Sequence, residues 1–152
     1  MITRVNEENI LEAAAIHSCA WQDSHRSFCP EEFIKMHTPE RQMQYLQRKM
    51  AAGCKIYMMV RDIPLAVVTI NKDVIEDLYV LPDKQKQGYG TELLRFAIDK
   101  CEGNPRLWIL ENNKGAEKLY RRLGFEETGR VNSENGSLTE IEFIRQNTTN
   151  QR

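Results

Sequence analysis

Leu78-Tyr79-Val80-Leu81-Pro82-Asp83-Lys84-Gln85-Lys86-Gln87-Gly88-Tyr89-Gly90-Thr91 runs from an apolar strand through a polar turn into two glycines and the start of a helix. Glycine permits positive φ and close backbone approach, and the first turn of a helix leaves N–H donors unpaired at the positive end of the dipole. Such a turn can cradle a phosphate, with Lys84 and Lys86 adding charge nearby. The same letters also suit a plain strand-to-helix turn with solvated lysines, so the loop alone leaves both readings open. No glycine in the chain is followed by lysine, which excludes the G-x-x-x-x-G-K-[ST] phosphate loop. The dinucleotide fingerprint fails as well, because Leu93 stands where the third glycine must let helix and strand pack closely.

Working outward, the turn sits inside an alternation of helix and strand. Ile2 to Val5 reads as a strand, and Asn6 or Asn9 caps a helix with Ile10, Leu11, Ala14, Ala15 and Cys19 on one face. Trp21 to Pro30 breaks the pattern, and one interrupted helix or two short ones follow from Glu31 to Met50 around Pro39. Ile56 to Arg61, Leu65 to Ile70 and Val74 to Leu81 are successive strands, which favours antiparallel pairing. Leu93, Leu94, Ala97, Ile98 and Cys101 then have helical spacing up to a stop at Gly103. Leu107 to Leu110 is a buried strand, Ala116 to Leu123 a short helix ended by Gly124, and Phe125 onward with Leu138 to Ile144 supplies two more strands. The order β α α β β β α β α β β predicts an α/β fold: a mixed, mostly antiparallel central sheet of about six to seven strands flanked by helices, with a strand-helix-strand crossover over residues 74 to 111.

The chain of 152 residues fits one domain, read as residues 1–147 with a polar tail at 148–152. Lys and Arg total 21 against 22 Asp and Glu, a net charge of -1, so no bulk field draws the molecule to nucleic acid or an anionic membrane. Hydrophobic residues make up 41%, yet the longest apolar run is Ile56 to Val60, and no signal-peptide core opens the chain. A cytoplasmic protein is expected. Four scattered cysteines without a C-x-x-C point to free thiols, and three dispersed histidines give no metal site.

Gln85-x-x-Gly88-x-Gly90, following Asp77 to Pro82, resembles the acetyl-CoA-binding motif of the GNAT superfamily of N-acetyltransferases. Asn113-x-x-Ala116-x-x-Leu119-Tyr120-x-x-x-Gly124-Phe125 resembles the family's other signature at its usual distance from the first. The two motifs cover residues 74 to 125, and the element order is similar over nearly the whole chain. The resemblance implies a single GNAT-like domain that moves acetyl from acetyl-CoA to a primary amine, by direct attack through a tetrahedral intermediate. A small-molecule amine is the expected acceptor. The alternatives are a protein N-terminus or a non-catalytic acyl-CoA-binding regulator. The edge strands near the C-terminus admit a homodimer.

By the same resemblance, the amides of Gln85, Lys86, Gln87, Gly88, Tyr89, Gly90 and Thr91 would hold the CoA pyrophosphate. The main chain of Leu78 and Val80 would pair with pantetheine, and Asn113 would bind that arm, although an asparagine there equally suits a helix cap. Tyr120 resembles the acid that protonates the departing sulfur; by periodicity alone it packs beside Leu119 and Phe125. The N–H of Val80 would meet the oxyanion. A base is not assigned. Strand alternation puts Glu76 and Asp77 on opposite faces, Glu76 with Leu78 and Val80, which favours Glu76; Asp77, Glu111 and water are the other choices. Acceptor residues are expected in the stretch after the first helix: Trp21, Asp23, His25, Phe28 and Glu32, where aromatics and carboxylates can hold an ammonium group.

Overall fold

The computed structural model describes residues 1–133 and 139–146. Strand β1 (Ile2–Arg4) leads to α1 (Ile10–His25), α2 (Glu31–Lys35) and α3 (Pro39–Ala51). Strands β2 (Lys55–Val60), β3 (Pro64–Asn71) and β4 (Val74–Val80) follow, then α4 (Tyr89–Lys100), β5 (Arg106–Leu110), α5 (Lys114–Arg122), β6 (Phe125–Asn132) and β7 (Glu140–Arg145). The seven described strands form one sheet in the order β1-β2-β3-β4-β5-β7-β6. All its pairings are antiparallel except β4 with β5, as a crossover through α4 requires. The α/β sheet expected from the sequence is present. Leu138 and the 148–152 tail lie outside the described residues, and no described helix is long and apolar enough to cross a membrane.

Alternation along β2 and β3 divides the core into two layers. Ile56, Met58 and Val67 pack with Ile10, Ala13, Ala14 and Leu46 beneath α1 and α3. Ala66, Val68 and Ile70 pack with Leu93, Leu94 and Ala97 beneath α4. Central strands buried on both faces carry such near-continuous apolar runs.

Three local expectations change. Helix α1 continues to His25, through a stretch the pattern breaks off at Trp21. Its inward face is Ile10, Ala13, Ala14, His17 and Ser18, while Leu11, Ala15 and Cys19 are exposed. Counting apolar letters misplaces the stripe because a histidine and a serine occupy its centre. Helix α4 ends at Lys100, where Cys101 turns extended, before Gly103 is reached.

The third change is in β4. Glu76 pairs with Thr69 and Tyr79 with Val67, so three steps on β4 face two on β3. The extra residue is a β-bulge with Asp77 at φ +52°, a left-handed conformation that a short polar side chain tolerates better than most. Glu76 and Tyr79 therefore lie on the same face, that of Val67 beneath α1 and α3, whereas Leu78 and Val80 pack on the α4 side. Simple alternation fails at this point.

Candidate active site

Beyond β4, Pro82–Lys84 makes one tight turn, and the chain enters α4 with Lys86 at φ +64° and Gly88 at φ +90°. Gly88 is the N-cap of α4 and supplies no side chain to cap it. Residues 85–88 are exposed and Tyr89, Gly90 and Thr91 half-buried, so the positive end of the α4 dipole lies at the surface. Left-handed residues flanking such a terminus make an anion-binding concavity. Gln85 Nε2 donates to the Val80 carbonyl at 3.2 Å and Gln87 Nε2 to the Asp83 carbonyl at 3.3 Å, fixing the turn to the strand end.

Strand β4 pairs with β5 in register only at Val74 and Arg106, after which the two diverge. The β5-facing edge of β4 toward Leu78 and Val80 thus lacks a strand partner. Asn113 caps α5 by accepting from the Ala116 N–H at 3.1 Å, and among the described residues its Nδ2 has no partner. Tyr120, from α5, is buried with its ring 5.8 Å from that of Phe125. Desolvation pushes its phenol up to about 12, so it carries its proton at neutral pH. Among the described residues its hydroxyl bonds no protein group.

On the opposite face of β4, a cavity of about 190 Å³ lies between α1, α3 and the bulge, with His17, Trp21, Gln42, Tyr45, Asp77 and Tyr79 in its walls and Arg41, His37 and Arg48 toward solvent. A second, of about 470 Å³, continues past Tyr45 and Asp77 to Lys49, Glu76 and Trp108. Tyr45 donates to Asp77 Oδ2 at 2.6 Å, and His17 Nε2 is 3.9 Å from the same oxygen. Burial acts to raise the Asp77 carboxyl, but His17 and the Tyr45 hydroxyl outweigh it and hold it below the ordinary carboxylate value. Burial, reinforced by Asp77, pushes the Tyr45 phenol far above its usual range. Glu76 faces Lys49 Nζ at 2.5 Å; burial opposes the Lys49 charge, and the Glu76 contact outweighs it to raise that amine.

The sequence expectations meet this geometry unevenly. Glu76 and Asp77 both turn toward α3, and Glu76 does not share a face with Leu78 and Val80, because the bulge resets the alternation. Trp21 borders the smaller cavity, stacked between His25 at 3.9 Å and His37 at 3.4 Å. Asp23, Phe28 and Glu32 are exposed and line neither cavity. Sequence reasoning gave no site role to His17, Tyr45, Arg41 or Arg48. A histidine one turn before Trp21 on an otherwise apolar face was the available signal for the first. For the others it was the i, i+4, i+7 spacing of Arg41, Tyr45 and Arg48 on one face of α3.

Residues 50–127 match the family model described as an acetyltransferase (GNAT) domain. The chain belongs to the GNAT acetyltransferase family. Over 57 residues it is 42% identical to an uncharacterized N-acetyltransferase of Methanocaldococcus jannaschii and 37% identical to a thialysine N-epsilon-acetyltransferase of Bos taurus. Each match takes in 35% of this chain but only 25% and 34% of those relatives' own lengths. The GNAT fold extends further than the sequence likeness: yncA of Salmonella typhimurium, solved with acetyl-CoA, superposes with a TM-score of 0.72 over 96% of this chain and 92% of its own, at 15% identity.

Proposed function

We propose that this GNAT family member transfers an acetyl group from acetyl-CoA to the primary amine of a small molecule. The observation that carries the reading is the bulge at Asp77 on a strand that also diverges from β5. One strand thereby offers an unpaired edge ending in an anion cradle and, on its other side, an acid-bearing cavity. The residues fit acetyl-CoA: the Gln85 N–H is taken by the Pro82 carbonyl, while the amides of Lys86 to Thr91 suit its pyrophosphate, and the open edge at Leu78 and Val80, with Asn113 Nδ2, suits its amide-bearing arm. The bound donor supplies an activated thioester carbonyl.

The chain's own groups then do the following. Asp77 and the aromatic walls hold the acceptor as an ammonium. Its proton leaves to Asp77, Glu76 or solvent, which frees the lone pair for direct attack. The nitrogen adds to the thioester carbonyl, the N–H of Val80 would oppose the charge on the carbonyl oxygen of the tetrahedral species so formed, and the C–S bond then breaks as the nitrogen releases its second proton to solvent. Tyr120 gives its proton to the departing sulfur and regains one from solvent.

The test is calorimetry and thermal melting with acetyl-CoA, followed by an amine panel read through free-thiol release. Ligand at one hundred times its dissociation constant should stabilise the fold by about 2.7 kcal/mol, with free CoA competing. The absence of both heat and a melting shift at millimolar acetyl-CoA would overturn the reading. Turnover confined to N-terminal peptides overturns the small-molecule part alone.

A further inference from the structure

Two buried polar side chains behind the smaller cavity are matched to each other. Gln42, from α3, is 4% exposed and His17, from α1, is 2% exposed. The Gln42 Nε2 lies 2.7 Å from His17 Nδ1. An amide nitrogen can only donate, so Nδ1 accepts and carries no proton; the proton of the ring is on Nε2. That nitrogen is buried without a hydrogen bond, and the Oδ2 of Asp77 lies 3.9 Å from it. Reversing the amide to receive a proton from Nδ1 of a neutral ring would leave Nε2 bare, its lone pair set against a carboxylate.

An imidazole beside a carboxylate has another course open to it, which is to take up a second proton and form an ion pair. Here that proton finds no place. Nδ1 is the one vacant nitrogen, and a hydrogen on it would meet the NH2 group of Gln42. The other neighbours supply no acceptor for it: the Tyr79 ring stands edge-on at 4.8 Å, the Tyr45 ring is tilted at 5.4 Å with its hydroxyl given to Asp77, and His37, Arg41 and Arg48 lie toward the solvent end. Two adjacent carboxylates of β4 thus differ in kind. Glu76 is engaged by the Lys49 ammonium group, whereas the donors beside Asp77, the Tyr45 hydroxyl and the His17 Nε2–H, are uncharged and support its charge without cancelling it.

We propose that Gln42 is a positioning residue: by donating to Nδ1 it denies His17 a second proton and so leaves the Asp77 charge uncancelled for the ammonium group of the acceptor. The inference rests on the acetyltransferase reading above for the acceptor and adds to it how the acid of the cavity is kept available. Among the described residues, Asp77 is the one carboxylate in the walls of the smaller cavity, so an imidazolium beside it would leave a substrate cation no unpaired acid there. A glutamine that merely filled space would have no influence on how many protons the ring holds.

The experiment counts the protons on His17 by nitrogen NMR of histidine-labelled protein, its signals identified by their loss in His17→Asn. At pH 7 the wild type should show one protonated and one bare ring nitrogen. Gln42→Glu puts an acceptor where the amide donated, so both ring nitrogens should then be protonated. Calorimetry with n-butylamine, in the presence of CoA, reads the affinity for a bare primary ammonium. An added carboxylate by itself attracts a cation, but the imidazolium it creates pairs with Asp77, so Gln42→Glu should weaken butylammonium binding by about tenfold or more. His17→Asn/Gln42→Glu, which has no ring to protonate, should recover the affinity. Two protons on His17 in the wild type overturn the proposal, as does binding that is unchanged or tighter in Gln42→Glu, or a wild type that binds no butylammonium. The proton count needs only wild-type protein, so it decides the matter even where the variant fails to fold. The acetyl-CoA melting shift of the wild type shows separately whether the acetyltransferase reading stands.

Discussion

Replacing Tyr45 by Phe removes one hydroxyl and keeps the ring, so it isolates the bond that Tyr45 makes to Asp77. That bond is short at 2.6 Å, and its acceptor is a largely buried carboxylate whose other neighbour, His17 Nε2, is beyond hydrogen-bond reach at 3.9 Å. Hydrogen bonds to charged groups contribute about 1.5–3 kcal/mol, and His17 still supports the carboxylate electrostatically, so Tyr45→Phe should destabilise the fold by about 1.5–3 kcal/mol at pH 7. The pH dependence carries a definite sign. Asp77 has a folded pKa below its unfolded value, so its contribution is fully present above that unfolded value and is lost as pH falls through the folded pKa. Without the hydroxyl, desolvation raises the folded pKa; the variant then takes up a proton at higher pH than wild type, and the gap between them narrows on acidification. Tyr45 itself keeps its proton throughout this range. Urea unfolding of both proteins at pH 7 and pH 4, repeated in an Asp77→Asn background, measures the effect. A loss below about 0.5 kcal/mol at pH 7, or an equal loss with Asn at position 77, would refute the reasoning.

Tyr120→Phe should lower kcat by about two orders of magnitude with acetyl-CoA affinity near wild type, since only a proton donor is removed; steady-state kinetics and calorimetry together check it. Gly88→Val places a β-branched residue at φ +90°, where an added Cβ meets no neighbour, so backbone strain of about 1–2 kcal/mol acts without a clash. Acetyl-CoA affinity should fall more than tenfold by calorimetry while the fold survives. Burial lowers the pKa of both His25 and His37, against the opposing bonds to the Trp21 and Phe33 carbonyls. Groups held neutral in this way stabilise fully above their unfolded value near 6.5 and progressively less below it. Stability from tryptophan-detected urea melts should therefore drop between pH 7 and pH 5, and His25→Asn should flatten that slope.

Local rules made much of this protein legible before any contact was known. Glycines at 88 and 124 announced the left-handed positions that begin α4 and follow α5, because only glycine takes such φ values freely. Apolar spacing at Leu93, Leu94, Ala97 and Ile98 marked the face of α4 that is buried, and the succession of elements fixed the class of sheet. Asn113 was legible as a cap, because capping joins residues three apart.

What escaped was whatever depends on partners far along the chain. Tyr45 and Asp77 are 32 residues apart, and nothing near either one indicates that α3 will lay the phenol on the carboxylate. The stripe of α1 was misjudged because His17 and Ser18 are buried by packing and by bonds to distant groups, such as Ser18 Oγ donating to the His37 carbonyl at 2.6 Å. The bulge at Asp77 is the clearest case. Alternation is a property of one strand, so the letters place Glu76 and Asp77 on opposite faces. A bulge is a mismatch in count between two strands, three steps on β4 against two on β3, and it exists only once they pair. Sequence alone therefore determined the order of helices and strands and the glycine turn, whereas tertiary packing decided the buried face of α1 and which carboxylates face the cavity.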